Sequence, residues 1–155
     1  MLGKSREIKL GEVSLRLNFL GAAHSDGDLS MLVMPDGVLF SGDIIFEGRL
    51  PFVGDADTQR WAEALESMQT EGLNALIPGH GPAARDPNQA LADTRDYILY
   101  LREVMGAAVE EMAEFAGAYE AADWRRFEQL PAFDAANRRN AYQVFLSMEA
   151  EALGQ

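Results

Sequence analysis

The stretch Leu73-Asn74-Ala75-Leu76-Ile77-Pro78-Gly79-His80-Gly81-Pro82 runs a short apolar segment straight into a histidine bracketed by Pro78-Gly79 and Gly81-Pro82. Glycine and proline set unusual backbone angles, and neither puts a bulky neighbour in the way of the imidazole. A histidine buried for structural reasons has no need of such flanks, so His80 is the strongest single ligand candidate in the chain. The other histidine occupies a similar turn, Gly21-Ala22-Ala23-His24-Ser25-Asp26-Gly27-Asp28. Between the two lies Phe40-Ser41-Gly42-Asp43, where an aspartate follows an apolar, strand-like run. A turn at a strand end lets a side chain leave the sheet and meet others at its rim. Two imidazoles and one carboxylate presented in this way suit zinc or iron. The competing reading of Asp43 is an aspartate that caps its own turn.

The acids beside these turns are expected to support them. Asp26 and Asp28 are read as shaping the turn and hydrogen-bonding the second ring nitrogen of His24. Ser25 has no free histidine to serve as its base, which counts against a serine hydrolase. Asp55 and Asp57 are placed to cap the following helix. Arg49 and Phe52, in the same loop, are either simple surface residues or groups that touch a substrate at the sheet rim.

The chain divides into a β-rich first part and an α-rich second part. Ile8 to Leu10 and Val13 to Phe19 are strand candidates around Gly11-Glu12, with Val13, Leu15, Leu17 and Phe19 alternating against Ser14, Arg16 and Asn18. Met31 to Met34 and Val38 to Phe40 flank Pro35-Asp36-Gly37 and predict a hairpin. Trp61, Leu65 and Met68 recur at helical spacing, with Thr58 as N-cap and Gly72 as terminator. Asp86-Pro87 opens a long amphipathic helix that Gly117 is expected to end. A short helix from Asp123 to Leu130 and a last one starting at Asn137 or Asn140 complete the tail. Its aromatic and methionine residues are read as core.

Composition excludes several functions. Asp and Glu outnumber Lys and Arg by 25 to 13, a net charge of −12, which removes the basic face that nucleic-acid binding requires. The absence of cysteine excludes disulfides, thiolate zinc fingers and thiol catalysis. No run is long enough to span a bilayer, and Met1-Leu2-Gly3-Lys4 carries no apolar signal core. The expectation is a soluble protein of the cytoplasm or periplasm, with no nucleic-acid or membrane partner.

From about Glu7 to Pro82 the chain resembles the C-terminal half of the metallo-β-lactamase fold, the group that includes glyoxalase II and many zinc hydrolases. His24 matches the histidine of the third metal motif. Asp43, in Ser-Gly-Asp, matches the carboxylate that bridges two metals, and His80, in Pro-Gly-His-Gly, matches the last histidine ligand. Thr94 to Tyr100 and Asn137 to Glu151 resemble the helical tail of a subgroup associated with sulfur oxidation and quinoproteins. Members of the superfamily carry an upstream His-x-His-x-Asp-His motif. Here 23 residues precede His24 and none is histidine.

The resemblance implies an α/β (α+β) fold: half of an αββα sandwich, its sheet mostly antiparallel, over residues 1–85, with an α-helical tail packed on it over residues 86–155. It implies a metal site of His24, Asp43 and His80 for zinc, as one or two ions, or for iron or manganese. The implied activity is hydrolysis of an ester, thioester or amide-like bond in a small-molecule substrate by metal-activated water. The missing motif leaves three readings: a fragment, a natural half that works with a partner, or a homologue that has lost catalysis and serves as an interaction or dimerisation domain. Alone, the chain is expected to have little hydrolase activity. One half of the sandwich would leave an inner sheet face exposed, assigned here to Leu15, Leu17, Leu32 and Leu39, so the expected partner is a second copy or the missing N-terminal half.

Overall fold

The computed structural model describes residues 5–68 and 70–154, so the Met1–Lys4 stretch read above for a signal core lies outside them. Five strands form one sheet in chain order: β1 (Ser5–Leu10), β2 (Val13–Gly21), β3 (Asp28–Met34), β4 (Val38–Phe46) and β5 (Ala75–His80). The first three pairings are antiparallel and β4–β5 is parallel. The Gly11-Glu12 loop closes the first hairpin on the pair Leu10–Val13, with Gly11 at φ 64°, the positive angle that two-residue hairpin loops demand. Pro35-Asp36-Gly37 makes the predicted β3–β4 turn, closed on Val33–Val38.

Helix α1 (Thr58–Ser67) is the crossover between β4 and β5. Its N-cap is Asp57, whose Oδ1 accepts from Arg60 N–H at 3.0 Å, so Thr58 becomes the first helical residue; such caps contribute about 1 kcal/mol. The helix ends at Ser67 because Met68 is already extended, and Gly72 lies later in the turn toward β5. Helix α2 (Pro87–Glu110) starts on the predicted Asp86 cap, which accepts from Gln89 N–H.

The tail departs from the sequence reading at three points. Helix α2 stops at Glu110, a left-handed Met112 (φ 54°) turns the chain, and Gly117 falls inside α3 (Phe115–Ala121). Residues 124–130 form successive turns in place of a helix. Helix α4 (Phe133–Ala152) begins directly after Pro131 and a left-handed Ala132, so Asn137 and Asn140 sit within it, fully buried. Their amides bond across to other elements instead of capping a helix end.

Cross-strand register sorts the sheet into two faces. The row Glu7–Arg16–Leu32–Leu39–Leu76 turns from polar to buried as it passes beneath the helices, where Leu39 and Leu76 are in the core. The row Ile8–Leu15–Val33–Val38–Ala75 lies on the other face, as does Arg6–Leu17–Met31–Phe40–Ile77. None of those ten residues is buried. The expected inner face is therefore only half right: Leu15 and Leu17 belong to it, whereas Leu32 and Leu39 point to the helices. The error is a parity slip, since each step along a strand reverses the face.

One hydrophobic cluster joins both parts of the chain, taking in Ile44, Ile45 and Leu76 from the sheet, Trp61 and Leu65 from α1, Tyr97, Ile98 and Leu101 from α2, and Val144 and Phe145 from α4. Among the described residues no helix is long and apolar enough to cross a membrane. The described residues form a mixed α/β architecture of one five-stranded sheet and four helices.

Candidate metal centre

Strands β2, β4 and β5 run in the same direction, so their C-terminal ends share one rim of the sheet. His24 follows β2, Asp43 lies in the distal half of β4, and His80 is the last residue of β5. Gly42 (φ 58°) interrupts the regular β4–β5 register just before Asp43, a bulge of the kind that re-aims side chains at sheet rims.

Asp43 Oδ1 and His80 Nε2 are 3.6 Å apart, with both side chains about half exposed (46% and 47%). That is slightly beyond a direct hydrogen bond. Two donors on one tetrahedral zinc, each bonded at about 2.0–2.1 Å, stand roughly 3.4 Å apart, so the observed spacing fits a shared ion. The glycines flanking His80 permit this approach. A Cβ on Gly79 would fall 1.9 Å from Asp43 Oδ1 and 2.8 Å from Asp43 N, and one on Gly81 (φ 105°) would fall 2.1 Å from Glu47 O. The backbone Glu47 N–H donates to His80 O at 2.9 Å and locks the two strand ends together.

His24 is held differently. Its ring meets the edge of Trp61 at 4.9 Å and lies 5.8 Å from Phe46, while His80 stacks on Phe46 at 4.8 Å and 18°. Both imidazoles thus contact one phenyl ring. Thr94 Oγ1 fixes that phenylalanine, accepting from Phe46 N–H and reaching the carbonyls of Phe46 and Ala90. Trp61 donates Nε1–H to Ile44 O at 2.9 Å, which ties the residue after Asp43 to α1. His24 Nδ1 is buried without a hydrogen-bond partner, and a buried nitrogen left open in this way asks for a ligand or proton partner.

The acids near His24 do not supply one. Asp28 accepts from the backbone N–H groups of Ala23 and Ser25 and from Ser25 Oγ, so it shapes the turn as expected but does not bond the imidazole. Among the described residues no group of three or more His, Cys, Asp or Glu converges closely enough to hold a metal. Asp43 and His80 alone stand at the spacing of a ligand pair, and His24 packs against Phe46 and Trp61. Glu47, just beyond the pair, has its carboxyl pKa raised, first by burial and then by the Asp93 and Asp86 carboxylates.

The loop from Glu47 to Asp57 is anchored by the tail. Asn140 Nδ2 donates to Pro51 O (2.7 Å) and Tyr97 Oη (2.9 Å), and Asn140 Oδ1 accepts from Val53 N–H (3.0 Å). Tyr97 in turn donates to Asn137 Oδ1 at 2.9 Å. Phe52 is 41% exposed at the loop tip, with the Arg139 guanidinium 5.3 Å from its ring centre. Phe46, Trp61, Thr94 and Asn140 were not singled out in the sequence as site residues. Each reads as core or tail, and nothing in spacing marks a side chain whose partner is another element's backbone.

No protein-family profile and no curated protein matches the chain. Solved structures do. The chain is similar to a metallo-β-lactamase from Pontibacter korlensis, at 21% identity and a TM-score of 0.54, over 62% of this chain and 46% of that one. It is similar to the DIM-1 metallo-β-lactamase, at 18% identity and a TM-score of 0.53, over 63% of this chain and 45% of that one. It is also similar to the stereoselective inverting sec-alkylsulfatase Pisa1 from Pseudomonas sp., at 16% identity and a TM-score of 0.73, over 92% of this chain and 25% of that one. The chain spans less than half the length of each, and at these identities the likeness is one of fold.

Proposed function

We propose that this chain contributes half the ligand set of a metal-dependent hydrolase of the metallo-β-lactamase superfamily, with His24, Asp43 and His80 as its donors to zinc. The observation that carries this reading is the 3.6 Å Asp43–His80 pair, set at a sheet rim by glycines whose smallness the close approach requires. Asp43 offers two oxygens, enough to serve two metals, and His80 offers Nε2. His24 packs against the same phenyl ring as His80, and its buried Nδ1 has no hydrogen-bond partner to keep it from a metal. A bound zinc ion would supply acidity to a water molecule and polarise the bond under attack. The chain's own groups would orient that chemistry: Phe46 braces both imidazoles, Thr94 and Trp61 hold strand β4, and Arg49 and Phe52, in the loop that leaves β4, are the residues we assign to contact with a small-molecule ester, thioester or amide-like substrate. The thioester class corresponds to the glyoxalase II-like reading.

Three donors leave a tetrahedral ion short of its set, so the isolated chain should turn over substrate weakly or not at all. The direct test is zinc titration of the purified chain by calorimetry, with dialysis and elemental analysis to count ions. Binding that disappears in His80→Ala and Asp43→Ala, with circular dichroism unchanged, supports the reading. A folded chain that binds no zinc at micromolar concentration overturns it and favours the second reading, a non-catalytic interaction half-fold.

A further inference from the structure

On the helix side of the sheet, β2 and β3 pass beside the end of α1 and form a pocket of about 280 Å³. Leu32 and Leu39 make its apolar floor, and Met68 and Leu73, from the turn between α1 and β5, wall it. Its polar lining includes Arg16, Asn18 and Ser30, neighbours on one face: Arg16 is in register with Leu32, and Asn18 with Ser30. Asn18 Nδ2 donates to Ser30 Oγ at 3.3 Å. Ser30 is 2% exposed, and among the described residues its own O–H finds no acceptor, although a serine hydroxyl has one proton to donate. A buried donor left unspent in a pocket calls for an acceptor. Arg16 is exposed, and among the described residues no carboxylate pairs with it, including Glu7, its register partner on β1. This edge of the face is polar by its own sequence. Glu7, Lys9, Ser14, Arg16 and Asn18 alternate with the apolar residues of the opposite face, the pattern of strands with one side toward water.

We propose that this pocket binds a small carboxylate carrying a short apolar chain. The Arg16 guanidinium supplies charge and the fork geometry that a carboxylate takes. The Ser30 O–H and the second N–H of the Asn18 amide supply neutral donors beside it, while Leu32, Leu39, Met68 and Leu73 cover the chain. An apolar lining with a few placed polar groups is the usual make-up of a small-molecule site. The size sets the ligand class: at about 30 Å³ per water-sized group, the pocket holds roughly nine non-hydrogen atoms, about the size of hexanoate. The net charge of −12 repels anions in general, so an unpaired cation beside an apolar pocket is the kind of place where one can settle. None of His24, Asp43 and His80 lines the pocket, so the proposal holds whether or not the rim binds zinc.

Methionine-methyl NMR of the purified chain, titrated with hexanoate, tests it, because Met68 lines the pocket and Met31 lies on the opposite face. Met68→Leu and Met31→Leu assign the two signals. The expected result is a saturable shift of Met68 with Met31 unmoved, at a Kd near or below about 1 mM. Lengthening the probe from butanoate to hexanoate should tighten binding about 15-fold, through two more buried methylenes. Hexanol and hexylamine, which lack the anion, should bind at least about 5-fold more weakly than hexanoate. Arg16→Gln, at an exposed position, should weaken hexanoate about 5-fold and leave hexanol unchanged. Ser30→Ala should weaken hexanoate by a similar factor through the lost donor. No saturable Met68 shift up to about 10 mM hexanoate overturns the proposal. So does equal binding of hexanoate and hexylamine, or hexanoate binding that survives intact in folded Arg16→Gln. A Met31 shift as large as that of Met68, the mark of adsorption at the other face, overturns it as well.

Discussion

Asn140→Ala should destabilise the chain far more than removing one surface amide would. Asn140 is fully buried and serves three partners at once: Pro51 O, Tyr97 Oη and Val53 N–H. Truncation leaves the Val53 N–H and the Pro51 carbonyl buried without partners, at about 1–3 kcal/mol each, while Tyr97 keeps its bond to Asn137. The expected loss is therefore about 3–5 kcal/mol. For a chain of this size it should lower Tm by on the order of 10 °C, measured at one fixed protein concentration because association also shifts Tm. Asn140→Asp separates hydrogen bonding from volume. The new carboxyl still accepts from Val53 N–H but is buried, which raises its pKa in the folded state above the unfolded value near 3.9. The folded form then binds more protons than the unfolded one, so the stability of this variant must fall as pH rises from about 4 to 7. Asn140→Ala should show no such slope relative to the parent. Urea denaturation at pH 4 and pH 7 reads both effects. A loss below about 1 kcal/mol in Asn140→Ala, or parallel pH profiles for the two variants, would refute the assignment of Asn140 as the clamp on the rim loop.

Gly79→Ala should cost about 3 kcal/mol or more, because its Cβ would meet the Asp43 carboxylate at 1.9 Å and the Gly42 carbonyl carbon at 2.7 Å. Chemical denaturation checks it, and near-neutral behaviour would contradict the packing. Trp61→Phe keeps the apolar ring and loses the donor to Ile44 O; about 1–2 kcal/mol of stability should go with it, read in the same assay. Burial works against the Asp96 carboxylate, but hydrogen bonds from Arg126 and Arg95 outweigh it and hold its pKa below the ordinary range. A depressed folded pKa adds stability above the unfolded pKa that fades as pH falls, so Asp96→Asn should be less stable than the parent at pH 7 and should converge with it near pH 3 in thermal melts.

The β half was legible because its signals are local. Gly11-Glu12 and Pro35-Asp36-Gly37 specify turns by backbone angle alone, and alternation along β2 gives the strand. His24 and His80 could be placed at one rim because each stands at a strand end, whereas Asp43, read in a turn after its strand, lies within β4 beside the Gly42 irregularity. What sequence could not supply was the packing of His24 against Phe46 and Trp61, residues far from it along the chain. Face parity failed at Leu32 and Leu39 because apolar residues occupy both faces of β3 and β4, so periodicity gives no preference there. In the tail, Asn137 and Asn140 have the chemistry of helix caps, and only the tyrosine and loop partners brought in by folding show that their amides are spent inside α4.

The plain strand order of the sheet bears on how the chain is made. Each strand pairs with its neighbour in sequence, so β1 to β4 can zip together as successive hairpins while the ribosome is still at work, with little loop-closure entropy to overcome. The helices that shield Leu39 and Leu76 come later, and α4 is complete roughly 100 residues after β4. At about 5–20 residues per second the sheet waits some 5–20 s without the helices that cover one of its faces. During synthesis this protein is thus most exposed to sticking to other nascent chains, and a chaperone that shelters β-rich intermediates should raise its yield more than one that acts on the finished chain.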